Sequence, residues 1–167
     1  QFYVTRRFAR TILKNVFSIS AVSAFEKVIT NCAAKISENR IETWITREMI
    51  SAYCHLHELG YAHSVEAWVG DKLVGGLYGV ALGKFFFGES MFHTQANASK
   101  VILAQLARYL EREGFELLDC QVPNPHLISM GACHLSREDF LERLAVGGLG
   151  VDGVAEKAVF PANGYAC

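Results

Sequence analysis

The residues best suited to chemistry end an apolar run. Phe115–Val122 reads as a strand closing in Asp119-Cys120-Gln121 and stopping at Pro123 and Pro125. Side chains alternate along a strand, so Asp119 and Gln121 are expected on one face, about 7 Å apart, with Cys120 on the other. A carboxylate beside an amide suits orientation of a polar reactant; the plainer role for Asp119 is a cap on the following turn. Phe85-Phe86-Phe87-Gly88-Glu89 offers a second acid, expected to share a face with Phe85, Phe87 and Met91. A carboxylate beside phenylalanines is costly to bury unpaired, so Glu89 either reaches solvent or meets a cationic group.

Other chemistries find less support. Cys120 or Cys133-His134 could supply a thiol nucleophile, but buried cysteine usually serves packing. His55 and His57 are two apart on a helix and do not share a face. No CxxC accompanies them, so no metal site is expected. Neither a GxSxG elbow nor a P-loop occurs. Gly75-Gly76, inside a strand pattern, marks a bulge or a close backbone approach. Arg6, Arg10 and Lys14 follow i, i+4, i+8 and would form one basic helical stripe beside Arg7. That stripe is either a solvated surface or a contact for phosphates. Trp44, among polar residues, either folds onto the core or offers a base-stacking platform.

The elements that must position these groups follow from period and punctuation. A helix is expected over 20–34, with Val22, Phe25, Val28, Ile29 and Cys32 apolar. After a polar stretch from Lys35 to Thr43, Thr46 caps a second helix that carries Met49, Tyr53, Leu56 and Leu59 and ends at Gly60. The period then changes to that of a meander: His63–Val69, a Gly70-Asp71 turn, Lys72–Leu82, a Gly83-Lys84 turn and Phe85–Met91. Asn97 or Ser99 caps the next helix, whose stripe is Ile102, Leu103, Leu106 and Leu110 and which Gly114 ends. Ser136 with Asp139 forms a capping box for a last helix through Phe140, Leu141 and Leu144. This order predicts a single α/β or α+β domain over residues 1–146 and an irregular tail over 147–167.

Composition agrees with one well-packed domain. The chain has 167 residues, 51% of them hydrophobic and 20% charged, and a formal net charge of −1. Disordered and collagen-like classes are excluded, and so is a uniformly basic nucleic-acid binder. The first twenty residues nevertheless carry four positive charges and no acid. No apolar run reaches the roughly 18 residues of a membrane span. No signal peptide is read at the start, and the five scattered cysteines do not suggest a disulfide framework. A cytoplasmic protein without membrane contact is the expectation.

Several segments, in order, resemble the leucyl/phenylalanyl-tRNA–protein transferase family. They are Ala62-His63-Ser64-Val65-Glu66-Ala67-Trp68, Leu73-Val74-Gly75-Gly76-Leu77-Tyr78-Gly79, Gly88-Glu89-Ser90-Met91-Phe92, Asn97-Ala98-Ser99-Lys100 and Asp119-Cys120-Gln121. Thr43-Trp44-Ile45-Thr46, Ala52-Tyr53, Leu56-His57, Asn124, His126 and Gly131-Ala132 extend the similarity, which runs from about Arg6 to Leu144. The resemblance implies a fold similar to GCN5-related N-acetyltransferases, a mixed, mainly antiparallel sheet with flanking helices. It also implies transfer of leucine, phenylalanine or methionine from aminoacyl-tRNA to an N-terminal Arg or Lys of a protein, in the N-degron pathway of bacteria. Asp119, Gln121 and Glu89 would then form the reaction centre, and Leu77, Met91, Leu103, Leu106 and Leu118 the aminoacyl pocket. Trp44, Arg6, Arg10 and Lys14 would hold tRNA, and neither metal nor coenzyme is implied. The coenzyme A pyrophosphate loop is missing between Met91 and Lys100, which argues against a coenzyme A-dependent N-acyltransferase. Family members usually carry a preceding small domain, and the chain begins near the expected junction. A catalytically weak module that binds tRNA or protein N-termini is therefore the other alternative.

Overall fold

The computed structural model describes residues 16–34, 44–122 and 124–149. Arg6, Arg10, Lys14, the polar stretch 35–43 and most of the expected tail lie outside the described residues. Five strands form one sheet in the order β1-β2-β3-β4-β5. They are β1 (Ser18–Ala21), β2 (Ala62–Val69), β3 (Lys72–Leu82), β4 (Phe85–His93) and β5 (Leu117–Asp119). Neighbours from β1 to β4 are antiparallel, and β5 runs parallel to β4. The helices are α1 (Phe25–Ala34), α2 (Arg47–Glu58), α3 (Ala98–Arg112), α4 (Pro125–Ser129) and α5 (Arg137–Val146).

The meander forms where the pattern places it, with Gly70 at φ 55° in the first turn. The strand period divides the core. Val65, Ala67, Leu77, Ala81 and Phe86 face α3, whose Ile102, Leu103, Leu106 and Leu110 complete that cluster. Ala62, Tyr78 and Phe92 face the opposite side, where they meet Phe25, Val28 and Ile29 of α1 and the partly buried Met49, Ile50 and Tyr53 of α2. Burying both faces of β2 and β3 supplies the main hydrophobic driving force. Gly76 is a close approach of the expected kind, because a Cβ there would lie 2.7 Å from the Phe92 ring and 2.8 Å from Val28. The sheet bulges beside it, between Ala67 and Trp68.

Two caps match the sequence pattern. The Thr46 hydroxyl accepts from the Met49 N–H at 3.3 Å, and the Ser136 hydroxyl accepts from the Asp139 N–H at 3.0 Å. Asn97 occupies the N-cap of α3 at φ 72° without a side-chain cap bond.

Three expectations are corrected. The helix expected from residue 20 starts at Phe25, because Ser18–Ala21 pairs with Val65–Trp68 as an edge strand. The two elements are joined through Val22 at φ 52°. The strand expected to reach Val122 ends at Asp119, where Gln121 turns to φ 59°. Finally, β4 runs on to His93 with an irregular register. Tyr78 pairs with Ser90 and Gly79 with Gly88, which leaves Glu89 as the extra residue of a bulge. The bulge keeps Glu89 on the face of Phe85 and Phe87 but sends Met91 to the α3 face, paired with Leu77.

Candidate functional site

Pairing between β4 and β5 stops at Phe87 and Asp119, beyond which β4 continues paired to β3 only. Three candidate polar residues meet at this fork. The Gln121 side-chain amide donates from Nε2 to Glu89 Oε2 at 3.2 Å. Asp119 Oδ1 accepts from the backbone N–H of Gln121 at 2.8 Å. This second bond closes the turn after β5 and holds Gln121 in a left-handed conformation that non-glycine residues adopt only with support. Asp119 thus reaches Gln121 through its main chain, not across the even face of a longer strand. With its NH₂ group turned to Glu89, the Gln121 carbonyl oxygen is the acceptor this arrangement leaves for another donor.

Sequence reasoning gave no chemical role to the aromatic residues around Glu89. Tyr53 on α2 is hydrogen-bonded to Glu89, and its phenol is pushed up to about 12 by burial first and then by the carboxylate. Its ring meets Tyr78 edge-on at 5.3 Å, and Tyr78 meets Phe25 in the same manner at 5.9 Å. Burial, helped by Cys32, Tyr53 and Glu89, also drives the Tyr78 phenol upward. Tyr53 lay on the expected apolar face of α2, so helical period alone could not single it out.

The five expected pocket positions gather on the opposite face. Leu77, Leu103 and Leu106 are buried in the α3 cluster, with Met91 and Leu118 partly buried against it. An open cleft of about 940 Å³ borders Leu103, Leu118, Asp119 and Gln121, and extends between α3, α4 and α5. Leu77, Met91, Leu106 and Glu89 do not line it. Cys120 also borders this cleft, and burial raises its thiol pKa, which opposes thiolate formation. Trp44 stands 46% exposed ahead of α2, next to the buried Ile45.

A second carboxylate cluster escaped the sequence reading. Glu66 on β2 is fully buried and accepts from Ser20 at 2.6 Å, Ser23 at 3.0 Å and Ser64 at 2.5 Å. The Trp68 indole N–H donates to Ser20 at 2.8 Å. The signal was present as an acid at an inward position of an otherwise apolar strand.

The profile described as leucyl/phenylalanyl-tRNA protein transferase matches residues 1–145. The chain belongs to this family. The leucyl/phenylalanyl-tRNA–protein transferase of Idiomarina loihiensis is 48% identical over 146 residues, which is 87% of this chain and 61% of that protein. The one from Syntrophotalea carbinolica is 47% identical over 162 residues, 97% of this chain and 70% of the relative. The chain thus spans about three fifths to seven tenths of the length of these transferase family members. Among solved structures, a ribosomal-protein-alanine N-acetyltransferase from Brucella melitensis biovar Abortus 2308 superimposes with a TM-score of 0.51 at 16% identity. That match covers 73% of this chain and 96% of the other. The fold is therefore that of the GCN5-related N-acetyltransferases. Among the described residues, no group of three or more His, Cys, Asp or Glu could hold a metal ion. No described helix is long and apolar enough to cross a membrane.

Proposed function

We propose that this chain carries the catalytic part of an aminoacyltransferase, moving leucine, phenylalanine or methionine from aminoacyl-tRNA to an N-terminal Arg or Lys of a protein. The family match over residues 1–145 is the observation that carries this reading. In the reaction, the acceptor's α-amine attacks the ester carbonyl of the aminoacyl-tRNA. An amide bond forms, the ester bond to the terminal ribose breaks, and the amine's proton ends on the ribose oxygen. An α-amine of pKa about 7.7–8.0 is neutral in roughly one molecule in seven at pH 7, so no strong base is required. Orientation, worth up to about 7–11 kcal/mol in favourable cases, does most of the work. Gln121 offers its carbonyl oxygen to the attacking amine, and the bond from its amide to Glu89 fixes which end of the amide is presented. Asp119 holds the backbone under it. Glu89 receives a protonated nitrogen of a substrate.

The apolar cluster around Leu77, Met91, Leu103, Leu106 and Leu118 accepts the donor side chain, and side chains branched at Cβ fit it poorly. Trp44 stacks on the terminal adenine, and Arg6, Arg10 and Lys14 contact tRNA phosphates. The product enters an N-degron pathway in a bacterial cytoplasm. Incubating the protein with leucine-charged tRNA and a peptide beginning with Arg tests the reading. Leucine on the peptide's N-terminus is the expected product. Binding of tRNA or peptide without transfer would instead favour a binding module.

A further inference from the structure

The reaction centre contains a buried polar group to which the reading above gives no role. Tyr78 is 0% exposed, and among the described residues its hydroxyl has no hydrogen-bond partner. An unpaired buried hydroxyl costs about 1–3 kcal/mol, and phenylalanine would fill the same space without that cost. Packing therefore explains the ring of Tyr78 and leaves the hydroxyl unexplained. Its place is specific. Tyr78 lies on β3 opposite Ser90, beside the bulge that turns Glu89 out of register. Its ring leans on Tyr53, the residue that holds Glu89 from the other side. Burial is the main cause that raises the pKa of both phenols, and Glu89 adds to each, so the carboxylate lies within electrostatic reach of both hydroxyls.

A carboxylate has about four acceptor sites. Gln121 and Tyr53 supply two donors to Glu89. The Tyr78 hydroxyl is too deeply buried to touch a substrate, but one ordered water can link it to the carboxylate. A buried water needs two to four polar partners, and Tyr78 and Glu89 provide the minimum.

We propose that Tyr78 is a positioning residue for Glu89, its hydroxyl donating to a buried water that in turn donates to the Glu89 carboxylate. With three donors the carboxylate is fixed in one rotamer and presented to the protonated nitrogen of the acceptor. This inference rests on the aminoacyl-transfer reading for its effect on catalysis, but the water itself does not.

Tyr78→Phe removes the hydroxyl and keeps the ring. The expected result is an acceptor-peptide KM raised about fivefold, with the KM for aminoacyl-tRNA unchanged and Tm unchanged or higher. A purely structural role would give the opposite pattern, a shifted Tm with wild-type KM values, and would overturn the proposal. A wild-type protein that transfers nothing overturns the aminoacyl-transfer reading and leaves the water to be judged by crystallography. A high-resolution structure of the chain should then show a water within hydrogen-bond distance of both Tyr78 Oη and Glu89. A dry Tyr78 hydroxyl refutes the inference whatever the activity.

Discussion

Glu66 and Glu89 occupy the same face of one sheet, on β2 and β4, and illustrate two uses of a carboxylate. Glu66 has no exposure and is surrounded by three serine hydroxyls from β1, the β1–α1 turn and its own strand. Those hydroxyls tie the edge strand to the sheet and support Val22, a β-branched residue at φ 52° whose N–H donates to the Ser64 carbonyl at 2.9 Å. Glu89 is only half-buried, sits on a bulge, and takes donors from Tyr53 on α2 and Gln121 beyond β5. The first cluster is closed within β1, the β1–α1 turn and β2. The second joins three elements at the place where β4 and β5 part. A satisfied, sealed carboxylate suits a role in stability; one held half-exposed at a fork suits the ligand-binding role proposed for Glu89.

The largest effects should separate these two roles. Glu66→Ala leaves three hydroxyls without their acceptor, that of Ser64 fully buried, and opens a cavity, for a loss on the order of 3 kcal/mol. In a domain of this size that lowers Tm by roughly 6–12 °C. Activity per folded molecule should be retained. Glu89→Ala should do the reverse, with kcat/KM for transfer down about 100-fold, near 2.7 kcal/mol, and Tm within about 2 °C of wild type. Thermal unfolding and steady-state kinetics on both variants decide the matter. If Glu89→Ala loses stability rather than turnover, the contrast collapses.

Next in size are the neighbours of Glu89. Asp119→Asn and Gln121→Ala should each lower kcat at least about tenfold with little effect on tRNA affinity. Asp119 reaches Gln121 through its backbone N–H, so its carboxylate supports the turn. An Asp119→Asn enzyme with wild-type turnover would reduce it to a cap, the simpler role that its strand-end position also allows. Trp44→Ala should weaken aminoacyl-tRNA binding by about 1–3 kcal/mol while leaving the acceptor KM alone. Gln in place of Arg6, Arg10 and Lys14 should flatten the salt dependence of tRNA affinity by roughly two to three log–log units. Salt titrations that show no change would make the stripe a solvated surface.

How far the sequence could be read differs between the same two regions. The meander, α2 and α3 follow from periodicity because alternation and a 3.6-residue stripe each have a buried face to satisfy. Asp119, Gln121 and Glu89 stood out as polar residues ending apolar runs, which is how a candidate site at a strand end looks in one dimension. The bulge at Glu89 could not be read, since one extra residue leaves the alternation ambiguous until the partner strand is known. The strand β1 was missed for a related reason. Ser18-Ile19-Ser20-Ala21 is short, and Ser20 turns its hydroxyl to Glu66 across 46 positions of sequence rather than to solvent. The short β5 resulted from a competition between strand extension and the turn that Asp119 closes.

The smallest expected effect concerns pH, and it sharpens the comparison from the stability side. His63 is the second residue of β2, three before Glu66, and it is buried beside the α2–β2 corner. Desolvation, with His57 adding to it, lowers its pKa to about 4. His57 is itself fixed, its Nδ1 2.8 Å from the Ala62 carbonyl and its ring stacked on Phe25 at 4.4 Å. The ordinary histidine value near 6.5 applies to the unfolded chain, so the unfolded state binds the proton more readily between those limits. The stability held by neutral His63 is therefore present in full above about pH 6.5 and is lost as pH falls toward 4. Lowering pH from 7 to 5.5 should cost about 1 kcal/mol through this residue alone. Denaturant unfolding across that range, with His63→Gln as the comparison, isolates the contribution, because glutamine cannot titrate and its curve should be flatter. Equal slopes for the two proteins would mean that His63 is hydrated in the folded state.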